Sequence, residues 1–179
     1  MFDVPMFHYP VNDFYQKKKA LLQLKHEVVV ACNYYGSNKS DFYTKKTSLA
    51  ENSLLEHILY QEISAFSNEI RHPNFFINNF WFEESVGHQQ HFPHTHGSYG
   101  YSAIMYLDYI PGLHSPTCFM FGYKHFLNDG DVVFITDFVK EGDIVFFPSS
   151  VIHYTLPNST DIPRQVLSFN LSIPEKINV

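Results

Sequence analysis

Cysteine and continuous positive charge are both scarce in this sequence. Cys32 and Cys118 are the two cysteines among 179 residues, and each lies in an apolar stretch rather than in a CxxC pair. This excludes a disulfide framework, and we expect both residues to pack as small apolar side chains. The formal net charge is −6, and lysines are adjacent only at 17–19 and 45–46. Direct binding to a nucleic-acid backbone is therefore not expected, because it needs an extended basic face.

Long apolar runs are absent as well. No stretch approaches the roughly 18–20 apolar residues that are needed to span a bilayer. Residues 1–10 also lack the basic and then apolar pattern of a secretory signal. The sequence thus predicts a protein without a membrane span that resides in the cytoplasm.

Apolar and aromatic residues are abundant, at 45% and 17% of the chain. This is enough for one well-packed core, and the chain is short for two, so we expect a single domain over residues 1–179. Residues 12–26 suit a short amphipathic helix, and apolar residues three and four apart predict a longer one over 49–70. Ser48 and Glu51 form the sequence pattern of a capping box at its start.

The pattern changes after about residue 74 to short aromatic and β-branched runs separated by Gly, Pro, Asn and Asp. Such runs predict strands, and their close spacing favours an antiparallel sandwich or barrel over alternating βαβ units. We therefore expect a helical N-terminal layer over about 1–73 and a β core over about 74–173. The predicted strands are 27–34, 74–85, 99–109, 117–123, 131–138, 143–147, 150–156 and 165–173.

Four of the eleven histidines stand within the segment GHQQHFPHTHG, at His88, His91, His94 and His96. In an extended chain His94 and His96 project to the same side, as two ligands of one metal would. Two imidazoles make a weak site, because zinc or iron usually takes at least three protein ligands. A third, distant ligand is needed, and His153 is a candidate because it follows a predicted strand in FFPSSVIHYTLPN.

Four segments together carry a family resemblance. They are GHQQHFPHTHGS, IMYLDY, GDIVFFPSSVIHYTLPN and RQVLSFNLSI, in that order. Over about residues 74–173 the chain resembles the non-haem iron(II), 2-oxoglutarate-dependent oxygenase superfamily, most closely its small uncharacterised bacterial and phage members. The resemblance implies a mainly β protein with a double-stranded β-helix, or jelly-roll, and N-terminal helices packed on the barrel. It also implies the cytoplasm of a bacterial or phage-infected host cell as the location.

The resemblance further implies a set of site residues. His94 matches the first metal ligand of the superfamily and His153 the distal one, and His96 would complete the metal site. Arg164 matches the basic residue that grips the far carboxylate of 2-oxoglutarate, for which a planar guanidinium is suited because it can form two parallel hydrogen bonds. The implied cofactors are Fe(II) and, as co-substrate, 2-oxoglutarate. His88 and His91 are expected to be hydrogen-bonded or supporting residues.

The position of His96 departs from the superfamily pattern, which usually has Asp or Glu two residues after the first histidine. Three imidazoles leave the metal with one more positive charge than two imidazoles and a carboxylate. Glu83 and Glu84 are expected to be solvated strand residues, but one of them could replace the missing carboxylate if His96 turned away.

A second departure concerns the partner of Arg164. Val166 stands where many relatives have a serine that helps to hold the 2-oxoglutarate carboxylate. Arg164 would then act with another donor, Tyr106 or Ser168, and the sequence leaves that choice open. The alternative is a structural one, in which Arg164 forms an ion pair at the rim with Asp161 or Asp143.

Three functions follow from these residues. The first is an Fe(II)- and 2-oxoglutarate-dependent dioxygenase that hydroxylates an unknown small molecule or protein side chain. The second is a cupin-like three-histidine metalloenzyme that does not use 2-oxoglutarate, which His96 favours and Arg164 opposes. The third is a non-enzymatic metal-binding jelly-roll module, in which His94 and His153 would point into solvent on different faces.

Overall fold

Three α-helices come before most of the strands in the chain. The computed structural model describes residues 5–30, 36–44, 46–72, 75–125 and 127–172. The helices are α1 (Phe14–Leu21), which continues into a 3-10 turn at Leu22–Leu24, α2 (Leu49–Ile58) and α3 (Tyr60–Glu69). At the start of α2 the Glu51 amide donates to the Ser48 hydroxyl and the Ser48 amide donates to the Glu51 carboxylate, which confirms the predicted capping box.

The strands form two antiparallel sheets. The large sheet has the order β1-β8-β5-β10-β4-β3-β2, and the small sheet has the order β7-β6-β9. Their bounds are β1 (Phe7–Pro10), β2 (Val29–Val30), β3 (Lys39–Ser40), β4 (Phe76–Ser85), β5 (Tyr101–Asp108), β6 (Thr117–Lys124), β7 (Asp131–Ile135), β8 (Asp143–Pro148), β9 (Ile152–Thr155) and β10 (Arg164–Ser172).

Alternation along the strands gives the large sheet two different faces, because successive side chains of a strand point to opposite sides. One face packs on the helices: the Phe66 ring of α3 stacks on the Phe146 ring of β8, with centroids 4.4 Å apart. The other face meets the small sheet, where the Phe119 ring of β6 contacts Phe147 of β8 at 4.8 Å. Each face has its own buried apolar cluster, so the large sheet is the middle layer.

The N-terminal part is less purely helical than the sequence predicted. It contributes β1, β2 and β3 to the large sheet, and β1 and β3 were not expected from the pattern. The predicted helix over 49–70 is two helices that meet at Leu59, where φ is −101° and ψ is 20°. The Leu59 amide still donates to the Leu55 carbonyl. The apolar periodicity also continues through this point, so the pattern does not predict the break.

Cys118 is buried and free, as expected for a small apolar side chain, whereas Cys32 lies outside the described residues. Within the described ranges, no helix has the length and apolar character to cross a membrane.

Candidate metal centre

The histidine-rich segment lies along the edge of the small sheet. His94 and His153 exchange two backbone hydrogen bonds, of 3.1 and 3.0 Å, and form an antiparallel bridge. Two further backbone hydrogen bonds lie on either side of this bridge. The His96 amide donates to the Ser149 carbonyl at 2.9 Å, and the Thr155 amide donates to the His91 carbonyl at 3.0 Å. This pairing brings two segments together that lie some sixty residues apart in the sequence.

Gly100 lets the chain turn from His96 into β5. Its φ is 87°, which lies in the left-handed region, and a Cβ there would stand 2.5 Å from the carbonyl oxygen of Leu171. Glycine is therefore required at this close approach, since any other side chain would strain or displace the neighbouring strand.

Three imidazoles converge at this edge, as the sequence predicted for His94, His96 and His153. One ring nitrogen from each lies within 4.8 Å of the others. The Nε2 atoms of His94 and His96 are 3.2 Å apart, and the ring centroids of His94 and His153 are 4.2 Å apart. The non-enzymatic module would have His94 and His153 point into solvent on different faces. Their rings instead lie next to each other.

The Nδ1 atoms of all three rings are held by hydrogen bonds. His94 donates to the Phe92 carbonyl at 2.8 Å, and His153 donates to the Val151 carbonyl at 3.1 Å. His96 donates to the amide oxygen of Asn170 at 3.0 Å, with the Ser102 hydroxyl 2.8 Å away. Because an imidazole that donates from Nδ1 carries its lone pair on Nε2, three lone pairs face one another. A cation between them removes this repulsion, so the donor set fits a bound metal.

Burial favours the neutral form of these rings, which is the form that binds metals. It is the largest cause that lowers the pKa of His94 and that of His96, the latter to about 4. Burial also lowers the pKa of His153 well below its ordinary value, with further lowering by His94 and His96. At neutral pH all three imidazoles therefore offer lone pairs without first losing a proton.

Glu83 is the centre of a hydrogen-bond network behind two of these rings. Its carboxylate accepts from Trp81 Nε1 at 2.6 Å, from His91 Nδ1 at 2.8 Å and from Asn38 Nδ2 at 3.0 Å. Burial raises the pKa of Glu83, but the charge and hydrogen bond of His91 together with Trp81 outweigh it, and the net shift is downward. Glu83 is therefore held as a carboxylate.

The expectation that Glu83 is a solvated strand residue is wrong. Its side chain faces the small sheet and is buried, since several hydrogen-bond donors compensate the cost of removing the charge from water. Glu84, one position along, points the other way, is only half-buried and pairs with Lys25 at 3.3 Å. Neither carboxylate belongs to the cluster of converging metal-ligand atoms in the described ranges, so the structure does not replace His96 by Glu83 or Glu84.

The two remaining histidines of the segment differ. The His91 ring stacks on the His94 ring, with centroids 3.9 Å apart and planes at 26°, which makes it a supporting residue as expected. His88 is exposed and sits in a turn with a φ of 63°.

A cavity of about 520 Å³ opens beside His94 and His96. This volume lies within the range of small-molecule sites, roughly 300–1,000 Å³. Aromatic rings form one part of its wall and amide groups another, and Lys and Arg do not occur among its lining residues. The lining comprises Asn38, Ser40, Phe42, Tyr43, Asn79, Trp81, Glu83, residues 91–96 and Asn170.

Arg164 is buried on the other side of the centre, at 4% exposure. Its Nη2 donates to the Thr117 hydroxyl at 3.3 Å, and its Nε has no hydrogen-bond partner among the described residues. Neither proposed rim partner forms an ion pair with it, and Asp143 instead lies 2.8 Å from His8. A buried guanidinium with unused donors is a site for an anion, because the charge otherwise remains uncompensated.

Tyr106 and Ser168, the two donors predicted to act with Arg164, lie in different surroundings. The Tyr106 ring lies 5.5 Å from the guanidinium carbon, and its hydroxyl donates to the same Thr117 hydroxyl at 2.9 Å. Ser168 instead donates to Glu83 at 3.4 Å. Thr117 is thus the direct neighbour, and sequence reasoning missed it because β6 is not adjacent to Arg164 in the chain.

A second, much smaller cavity of about 10 Å³ connects Arg164 with His153. Glu83 and His91 line both this cavity and the larger one, so these two side chains separate the two spaces. Asn170 and Ser102, which hold His96, were also missed. The sequence feature that could have revealed these two residues is the alternation of side chains along β10 and β5. This alternation places both residues on the face that meets the small sheet.

A family model described as "Putative 2OG-Fe(II) oxygenase" matches residues 79–170. This match spans half of the chain and contains all three converging histidines and Arg164. No curated protein sequence matches the chain.

Solved structures share the fold at low identity. The non-heme alpha ketoglutarate dependent epimerase SnoN from nogalamycin biosynthesis is 16% identical with a TM-score of 0.65, over 95% of this chain and 79% of SnoN. HygX from Streptomyces hygroscopicus, solved with nickel and 2-oxoglutarate bound, is 9% identical with a TM-score of 0.64, over 96% of this chain and 84% of HygX. A 2OG-Fe(II) oxygenase family oxidoreductase from Burkholderia pseudomallei is 12% identical with a TM-score of 0.63, over 93% and 85%. The predicted jelly-roll is confirmed.

Proposed function

Because this chain belongs to the 2OG-Fe(II) oxygenase family, we propose that it hydroxylates a small molecule, with His94, His96 and His153 as the ligands of Fe(II). The observation that carries this assignment is that one ring nitrogen from each histidine lies within 4.8 Å of the others while every Nδ1 is hydrogen-bonded. Bound iron, with 2-oxoglutarate and dioxygen, supplies the oxidising power for hydroxylation. The three rings would hold the metal through one ring nitrogen each.

Arg164 is assigned to the distal carboxylate of 2-oxoglutarate. Its Nε has no partner among the described residues, and the small cavity beside it is also lined by His153, so an anion bound there would extend towards the metal ligands. Thr117 lies beside the guanidinium as a second polar contact. Charge-assisted hydrogen bonds from a buried guanidinium are strong and directional, and they would fix the orientation of the co-substrate.

The small cavity must enlarge for this binding, because its 10 Å³ is about the space of one water molecule. Glu83 and His91 line both cavities, so the enlarged space for 2-oxoglutarate would border their side chains. The larger cavity is then the place for the substrate. Its aromatic walls exclude water from the reacting group, and its amides can orient a polar substrate.

The assignment is tested by measuring succinate formed from 2-oxoglutarate by the protein with Fe(II) and ascorbate. We expect turnover in the wild type and its loss, together with loss of bound iron, in His153→Ala. His88→Asn serves as the matched histidine variant, because His88 is exposed and asparagine tolerates its left-handed backbone. Absence of succinate and of iron-dependent 2-oxoglutarate binding in the wild type would contradict the proposal.

The role of Arg164 has its own test, an anaerobic titration of the Fe(II) protein with 2-oxoglutarate followed by the visible charge-transfer band of the bound 2-oxo acid. Arg164→Ala is expected to weaken 2-oxoglutarate binding by about 2–5 kcal/mol, since a buried charge partner is removed. Arg164→Lys keeps the charge but loses the two-pronged geometry, so we expect an intermediate affinity. Unchanged affinity in Arg164→Ala would favour the three-histidine metalloenzyme that does not use 2-oxoglutarate.

A further inference from the structure

Glu83 links the two aromatic rings that pack against His94 and His96. Its Oε2 accepts from His91, whose ring stacks on His94 with a centroid distance of 3.9 Å. Its Oε1 accepts from Trp81, whose ring meets the His96 ring edge-on at 4.9 Å. One carboxylate therefore controls the orientation of the neighbours of two metal-binding rings.

The same carboxylate provides negative charge near a site that has none among its ligands. Three imidazoles leave a divalent metal with its full charge, whereas a site of two imidazoles and a carboxylate neutralises part of it. Glu83 is the carboxylate that lines both cavities beside the centre in the part of the chain that the structure describes. Its charge acts on His94 and His96 across a buried region, where electrostatic interactions are less screened than in water.

We propose that Glu83 is a positioning residue of the three-histidine centre: it holds His91 and Trp81 against His94 and His96, and its charge partly replaces that of the missing carboxylate ligand. This inference rests on the proposed function, because it requires that the three histidines bind a metal. It explains why a carboxylate is buried on β4 among several hydrogen-bond donors, and why the superfamily pattern can depart at His96 without losing all negative charge from the site.

The experiment compares two adjacent glutamates that lie on opposite faces of β4. Glu83→Gln removes the charge with little change in shape, and Glu84→Gln makes the same chemical change on the side of Lys25. Co(II) is the probe, because its visible spectrum reports the arrangement of its ligands and its affinity can be measured by titration. Glu83→Gln is expected to weaken Co(II) binding about 10–100-fold and to alter the spectrum, as changes to groups that orient metal ligands do.

Glu84→Gln is expected to match the wild type in both affinity and spectrum. A further readout is the Fe(III)/Fe(II) midpoint potential, which should rise in Glu83→Gln because the more highly charged Fe(III) loses more stabilisation. If Glu83→Gln and Glu84→Gln bind Co(II) equally and with the same spectrum, the inference is wrong although the proposed function stands. If the wild type binds neither Co(II) nor Fe(II), the proposed function fails and the inference fails with it.

His91→Phe separates the roles if Glu83→Gln does not fold. Phenylalanine keeps a ring to stack on His94 but cannot donate to Glu83, while Trp81 and Asn38 still hold the carboxylate. We expect weaker Co(II) binding than in the wild type and a changed spectrum. Wild-type affinity and spectrum in His91→Phe would overturn the link through which Glu83 positions His94.

Discussion

The two faces of β10 contribute different things to the molecule. The face towards the helices carries a tightly packed apolar run, with Leu167, Phe169 and Leu171 at no more than 1% exposure. The face towards the small sheet carries the polar groups of the site together with one apolar residue, namely Arg164, Val166, Ser168 and Asn170. Because neighbouring residues of a strand point to opposite sides, side chains that pack in the core alternate with side chains that face the site along β10.

This comparison explains how a buried polar site is tolerated. The face of the large sheet towards the small sheet holds a guanidinium, a carboxylate and several amides. Each of these groups would be costly to bury in an apolar core. The apolar cluster between the large sheet and the helices is separate from these polar groups. Substitutions one position apart should therefore affect different measurements.

The largest expected effect is on stability, from Phe169→Ala. Phe169 is fully buried and lies against Phe146 at a centroid distance of 6.0 Å. Removing a buried phenylalanine ring costs about 3–5 kcal/mol, because apolar contacts are lost and a cavity remains. We expect this decrease in the free energy of unfolding by urea denaturation, with the Co(II) affinity of the folded protein unchanged. A loss of metal affinity as large as the loss of stability would show that the two faces are coupled.

The neighbouring substitution Asn170→Ala should give the opposite result. Asn170 accepts the Nδ1–H of His96 and a hydrogen bond from Ser102, so its loss removes one hydrogen-bond partner of the His96 ring and holds the ring less firmly. We expect Co(II) affinity to fall about 10–100-fold, with a smaller loss of stability than for Phe169→Ala. Asn79→Ala is the control, since Asn79 bonds to Asn170 but not to a histidine. Its effect on Co(II) binding should be weaker, and equal effects would argue that Asn170 does not orient His96.

The sequence predicted the fold well where periodicity was clear. Seven of the eight predicted strands, those after residue 74, correspond to β4 to β10, with ends displaced by a few residues. The eighth, 27–34, contains β2, and its residues 31–34 lie outside the described ones. The short strands β1 and β3 were missed because four or two residues are too few to show a period. The break at Leu59 was missed because the apolar pattern does not change there.

The sequence likewise predicted the three histidines of the site but not the groups that support them. His94, His96 and His153 stood out by residue type and by the resemblance, and the structure brings their ring nitrogens together. Glu83 was misjudged because a glutamate in a strand is usually exposed, and its donors include Asn38 and His91, which lie outside β4. Contacts between elements that are distant in sequence cannot be inferred from local pattern, and the supporting groups of this site are of that kind.

A further expected effect is the dependence of stability on pH in the metal-free protein. Burial, followed by His94, lowers the pKa of His96 from 6.5 to about 4, so the folded state resists protonation that the unfolded state accepts. The unfolded chain therefore binds more protons between about pH 6.5 and 4, and the stability present above pH 6.5 is lost as the pH falls through this window. Urea denaturation from pH 7 to 4 should show this decrease, and His96→Gln should make it shallower because one titrating ring is removed. Identical slopes for the two proteins would mean that burial does not keep His96 neutral. The site-facing side of the large sheet would then not differ from the helix-facing side in the pH dependence of stability.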